Sequence, residues 1–225
     1  MMPLRRREAP GFWRDRERSY LLREDVSCKY VLHQWRHKKR SLAEWFHAEV
    51  RAAAEPHLCA YCDARLAISS PETIDHFVPE HAVRELGLSW QNLYPACALC
   101  NSTFKGKKWS CRLLRPDVDL IPAAGESELD AFFRHFYFDP ATGTLSPAPG
   151  ADPITRARVR LTLGVFRLNT TARCNARRDR WRDLLNAAKH PCDDGRMEQL
   201  ASQGPFRFVA RLFLTTRGAK PSSPR

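Results

Sequence analysis

No run of apolar residues approaches the roughly 20 needed to span a bilayer, and the opening stretch MMPLRRREAPGFWRDRERSY has no apolar signal region. A soluble, cytoplasmic protein with no membrane partner is therefore expected. Acidic residues are in short supply, 25 against 37 lysines and arginines, which gives a formal net charge of +12. That imbalance disfavours basic partners and attracts polyanions, nucleic acid first among them. No internal repeat is found. The 225 residues are 43% hydrophobic, enough to fill the core of one elaborated domain or two small ones.

Cysteine, by contrast, is plentiful: there are eight. Disulfides would suit a small secreted protein, but this chain is larger, and four of the eight fall into two Cys-x-x-Cys pairs, CAYC at 59–62 and CALC at 97–100. Four thiolates at such spacing complete a closed tetrahedral Zn²⁺ site, with Cys59, Cys62, Cys97 and Cys100 as ligands. A closed site leaves no coordination position for substrate, so zinc here would be structural. The plainer reading, four ordinary buried cysteines, has to accept two matching spacings as coincidence. A thioredoxin-like redox motif would leave the second pair without a role. Cys28, Cys111, Cys174 and Cys192 lack metal-type spacing and are expected to pack.

The organisation along the chain predicts an α+β protein. Residues 1–40 read as a basic N-terminal arm with interspersed aromatics that can anchor it to the body. A core with its leading helix covers 41–112, a hairpin extension 113–150, and a helical, basic C-terminal region with a flexible tail 151–225. The leading helix starts at a Ser41–Glu44 capping box and stops at Pro56. ETIDHFVP predicts a short strand, EHAVREL a helical turn closed by Gly87, LYPA a second strand, and CALCNSTFKGKK the start of a helix. LDAFFRHFYFDPATGTLSPAP reads as strand, turn and return strand. Asp152 and Pro153 open one helix, and ARCNARRDRWRDLLNAAKH supplies another.

Asp75 and His76 are adjacent, so a strand would aim them to opposite faces, one free to hold a metal while the other approaches a water. Asn101 directly follows the second cysteine pair, and its neutral carbonyl oxygen suits a hard cation such as Mg²⁺. CAYC, IDHFVP, WQNLYPACALCN and the trailing lysines together resemble the HNH endonucleases in their zinc-stapled form, over roughly residues 57–108. The resemblance implies a ββα-metal core. It puts Asp75 and Asn101 on the catalytic Mg²⁺ or Mn²⁺, His76 as general base, Asn92 as the brace of the loop, and Lys105 among the basic residues after the last knuckle. With the downstream FYFDPATGTLSP and LGVFRLNTTARCNARRDRW, the chain is also similar to the PtuB-like HNH nucleases of Septu and retron antiphage systems, in which the nuclease is typically paired with an ATPase.

The expectation is a metal-dependent endonuclease hydrolysing phosphodiester bonds, on DNA by default, as a defence effector. RNA or transfer RNA is an alternative substrate, and a non-catalytic zinc-ribbon module that binds nucleic acid or protein is the alternative function. Lys105, Lys107 and Lys108 serve either as phosphate contacts or as a solvated helix face. Some of the arginines at 156, 158, 160, 167, 173, 177, 178, 180 and 182 are expected to line a nucleic-acid groove or an acidic partner surface. His33, His37, His47, His57, His135 and His190 read as ordinary surface or core histidines, and His81 as a solvated residue at a helix start.

Overall fold

The structure, a computed structural model, describes residues 1, 3–4, 6–53, 57–66, 72–189, 199 and 204–216. Pro56, His190, Cys192 and the tail beyond residue 216 lie outside the described residues. The elements run α1 (Gly11–Leu21), α2 (Cys28–Gln34), β1 (Arg36–His37), β2 (Arg40–Ser41), α3 (Leu42–Ala53), β3 (Glu72–His76), β4 (Leu93–Cys97), a π-helix (Leu99–Lys105), α4 (Glu128–Phe133), β5 (Phe136–Asp139), β6 (Thr144–Pro147), α5 (Pro153–Val165), α6 (Thr171–Ala187) and α7 (Arg207–Thr216). The strands form three separate antiparallel pairs, β1–β2, β3–β4 and β5–β6. The class is α+β, and strand, loop, strand, helix is the order found around the cysteine pairs.

Local chemistry explains the boundaries. Ser41 and Glu44 make the expected capping box, Ser41 N donating to Glu44 Oε2 at 2.5 Å and Glu44 N to Ser41 Oγ at 3.2 Å. Asp152 accepts from Ile154 N and Thr155 N to start α5, with Pro153 in the first turn. One segment departs from the sequence reading: Glu128–Phe133 is a helix, because Ser127 and Asp130 form a second capping box just ahead of it. The hairpin is confined to residues 136–147. At its turn Gly143 has φ +75, and a Cβ there would meet the Cys174 carbonyl oxygen at 2.0 Å, so only glycine fits.

In the β3–β4 ribbon, β4 is buried along its whole length, whereas β3 is half-buried except at Asp75. Leu93 joins a core built from Trp13, Tyr20, Val31, Leu42, Phe46 and Trp90. The next residue, Tyr94, joins the larger core with Tyr61, Phe77, Phe136 and Phe166. Alternation along one strand thus addresses two cores in turn. Residues 9–35 form the wall of the first through Trp13, Tyr20, Cys28, Val31 and Leu32, with Phe12 and Trp35 partly buried against it, whereas Met1 and Leu4 join the larger core and Tyr30 is exposed.

Candidate active site and metal centre

The cysteine pairs meet. Cys59, Cys62, Cys97 and Cys100 are buried free thiols whose sulfurs all lie within 4.8 Å of one another. Thiolates about 2.3 Å from a tetrahedral zinc stand about 3.8 Å apart, and Cys62 and Cys97 Sγ are separated by 3.8 Å. The four sulfurs fit zinc. Hydrogen bonds from Cys100, then Cys59 and Cys62, pull Cys97 far below the usual thiol range, while burial is the main cause holding Cys59 above it. Arg173 Nη2 also donates to Cys100 Sγ at 3.0 Å, setting a cation beside the sulfurs. The first knuckle is strapped to β4 by Ala60 N donating to Pro95 O at 2.9 Å.

The π-helix carries Cys100, Asn101 and Lys105 against β3 in one wide turn, with Gly106 N donating to Asn101 O at 2.7 Å, a five-residue closure. Asn101 Nδ2 donates to Thr73 Oγ1 at 3.0 Å and to Ile74 O at 3.1 Å. Its nitrogen is thereby tied to β3 and its oxygen turned away from those acceptors. Lys105 is 1% exposed, and its Nζ donates to Asp75 Oδ1 at 2.9 Å and to the His76 carbonyl at 2.6 Å. Tyr61 Oη donates to Asp75 Oδ2 at 2.5 Å. Burial raises the Asp75 pKa, opposed by Lys105 and by the Tyr61 hydrogen bond. Each carboxylate oxygen keeps acceptor capacity beyond these bonds. A carboxylate and an amide oxygen on facing elements are hard donors of the kind Mg²⁺ takes, in company with water and phosphate oxygen.

His76 ends β3 on the opposite face. Its Nε2 lies 2.9 Å from the Gly87 carbonyl, which can only accept, so Nε2 carries the proton and Nδ1 keeps its lone pair. Burial lowers the His76 pKa, with Asp75 and the Gly87 carbonyl pulling the other way. The Cys28 thiol donates to the same carbonyl at 2.8 Å and approaches His76 Nε2 at 3.1 Å. Cys28, expected only to pack, therefore touches the candidate base. Burial pushes its own pKa well up, leaving a neutral thiol.

Glu80 joins this constellation from the loop. Its Oε1 accepts from Cys28 N at 2.7 Å, satisfying an orphan amide at the start of α2, and from Tyr20 Oη at 2.8 Å. Asn92 braces the same loop: Oδ1 accepts from Val78 N at 2.8 Å, and Nδ2 donates to Val78 O and Leu86 O, both at 2.9 Å. Sequence reasoning singled out Asn92 but missed Gly87, Cys28, Tyr61 and Glu80. Glu80 carried the one usable signal, an acidic residue immediately after the conspicuous Asp-His-x-x-Pro.

Lys107 and Lys108 are exposed just beyond the π-helix, and His81 is exposed in the loop. Several of the C-terminal arginines are engaged within the fold. Arg177 is buried, donating to Gly143 O and Asn169 Oδ1, and Arg158 pairs with Asp119. Arg160 and Arg167 are exposed.

The HNH endonuclease family model matches residues 59–106. The Septu protein PtuB of Bacillus thuringiensis is 35% identical over 65 residues, a stretch covering 27% of this chain and 24% of that protein. Among the described residues, no helix is long and apolar enough to cross a membrane.

Proposed function

We propose, from the match of residues 59–106 to the HNH endonuclease family, that the protein is a metal-dependent endonuclease that hydrolyses phosphodiester bonds in nucleic acid, with DNA as its default substrate. The observation that carries this reading is the state of His76: a half-buried imidazole, held toward its neutral form, whose Nε2–H is fixed on the Gly87 carbonyl, one residue from a carboxylate facing the π-helix. A module that only binds has no need of such a base.

Phosphodiester hydrolysis requires a deprotonated water and compensation of the charge that grows on the phosphate. His76 Nδ1 accepts the proton of the attacking water, and the Gly87 carbonyl stabilises the imidazolium that forms. Mg²⁺ or Mn²⁺, when held by Asp75 and Asn101, supplies Lewis-acid stabilisation to the scissile phosphate and the leaving oxygen. Tyr61 and Lys105 set the rotamer of Asp75, and Thr73 sets that of Asn101. Zinc on the four cysteines keeps β4 and the π-helix in register with β3. Lys107, Lys108, Arg160 and Arg167 contact flanking phosphates, and the +12 charge draws the substrate in.

The similarity to the Septu protein PtuB supports a role as a defence effector; an ATPase partner is part of the same proposal. The test is to incubate the purified protein with plasmid, single-stranded DNA and total RNA, each with Mg²⁺, Mn²⁺ or EDTA, beside the His76→Ala variant. Nicking or linearisation of plasmid that needs both the cation and His76 is expected. Cleavage confined to RNA would move the substrate to RNA. Binding without cleavage in every arm would leave the zinc-ribbon alternative.

A further inference from the structure

His47 on α3, His57 just ahead of the first knuckle and Glu72 at the start of β3 come together away from both sites described above. One ligand atom from each lies within 4.8 Å of the others, and no fourth such donor joins them among the described residues. His57 Nε2 is 2.9 Å from Glu72 Oε1, and His47 Nδ1 contacts the same oxygen. Both ring nitrogens are buried, yet neither makes a hydrogen bond among the described residues, because the N–H directions required for one are not met. Two imidazole nitrogens closing on one carboxylate oxygen without hydrogen-bond geometry is what lone pairs pointing to a shared centre produce. Neighbouring donors around a tetrahedral zinc bound through nitrogen and oxygen stand about 3.3 Å apart, a spacing that the cluster, with its three ligand atoms all within 4.8 Å of one another, reaches by small side-chain adjustments.

We propose that His47, His57 and Glu72 form a second, three-ligand Zn²⁺ site, distinct from the four-cysteine centre, with its fourth position open to water. Two histidines and one carboxylate are a zinc donor set; imidazole nitrogen favours late transition metals, whereas Mg²⁺ takes oxygen. The side chains are 18%, 16% and 10% exposed, so the centre lies at the protein's edge, where a water can reach it. The ligands are held in place independently. The His57 carbonyl accepts from Leu66 N at 3.0 Å, and Glu72 is fixed in register opposite Cys97.

The site is not part of a two-metal catalytic centre. Glu72 and Asp75, the residue proposed to hold the catalytic cation, alternate to opposite faces of β3 and lie three residues apart, about 10 Å along the strand, whereas paired catalytic metals sit about 3.5–4 Å apart. Its role is to clamp α3 and the lead into the first knuckle onto the strand that ends in Asp75 and His76. Through Glu72 it holds the start of the strand whose partner residue, Cys97, belongs to the cysteine centre.

The test uses the full chain, loaded with excess Zn²⁺, desalted, and assayed for zinc by mass spectrometry, with a parallel Co²⁺-loaded sample read by absorption. The expectation is about two zinc ions per wild-type chain and about one in His57→Ala, while the thiolate-to-cobalt band of the cysteine centre is unchanged. Glu72→Gln, which keeps size and hydrogen bonding, is the second variant should His57→Ala fail to fold, and it too should lose about one ion. About one zinc per wild-type chain, or two retained in both variants, would overturn the site and leave a packed His–Glu cluster.

Discussion

At His76, burial and hydrogen bonding decide between a charged and a neutral ring. Burial is the larger influence and lowers the pKa, so the imidazole stands ready as a base near neutral pH. His76→Ala is expected to reduce cleavage by about 10²–10⁴-fold while zinc content and the urea midpoint stay near wild type; undiminished nicking by the variant would remove His76 from the chemistry. Gly87 matters for space more than for backbone freedom, since an added Cβ would come 2.7 Å from Tyr20 Oη. Gly87→Ala should therefore displace the carbonyl that orients His76 and lower cleavage, with the cysteine zinc retained, as metal analysis and a plasmid assay would show. Lys105 and Asp75 are 1% and 2% exposed, so Lys105→Met strands a carboxylate in the interior. Breaking one side of such a pair costs about 3–5 kcal/mol, readable as a fall in unfolding free energy in urea. The acid, the histidine and both asparagines were legible in the sequence because each stands in a motif. Tyr61, Gly87 and Cys28 were not, because each reaches the site from a separate segment and none belongs to a spacing pattern.

Among the elements, the first knuckle puts Ala60, Tyr61 and Leu66 into the larger core, and the four cysteines join it to the start of the π-helix. Zinc binding by four thiolates contributes about 10–16 kcal/mol in small zinc-finger peptides, so Cys97→Ser should lose zinc and loosen β4 and the π-helix together. Hydrogen exchange would show this as lost protection across both. A fully folded, zinc-loaded Cys97→Ser protein would contradict it. The knuckle has a second tether in Asp63, 0% exposed, which accepts from Arg207 N, Nε and Nη2 at 2.5, 3.2 and 3.1 Å. The pair caps the start of α7 and ties it to the metal site across 144 residues of sequence. Helix α7 went unread in the sequence, although its apolar residues, including Phe208, Val209 and Phe213, are buried. Helix α4 was read as strand because LDAFFRHFYFD is apolar without a clean period of either kind. There the Ser127–Asp130 cap decides, a local signal outweighed in the sequence by the aromatic run.

Over the whole molecule, the β3–β4 ribbon joins two cores, and burial of titratable groups sets how stability responds to pH. His135 is 7% exposed, bonded through Nδ1 to Ala131 O, and faces Arg134, Asp119 and Arg158. Burial is the main cause lowering its pKa from the ordinary value, about 6.5 in an unfolded chain. Below that value the unfolded chain takes up a proton that the folded one resists. The stability this group contributes is therefore complete above about pH 6.5 and is lost as pH falls toward the lowered folded value. His135→Gln should flatten the decline in urea midpoint between about pH 7.5 and 5.5; an unchanged slope would exclude His135 as a source.

What the sequence determined by itself was whatever is encoded in short spacings: the two cysteine pairs, the Asp-His dipeptide on a strand, Asn101 behind the last cysteine, the Ser41–Glu44 capping box and the basic charge. These survive any rearrangement of distant segments because their geometry is set within a turn or a strand. Only the tertiary structure decided that Lys105 lies beneath Asp75 instead of facing solvent, that residues 9–35 wall the core that Leu93 and Ile74 join, and that His47, His57 and Glu72 meet. The physical reason is that burial and charge pairing depend on which surfaces close on each other. A chain carrying so many lysines and histidines does not reveal, before it folds, which of them will be taken out of water.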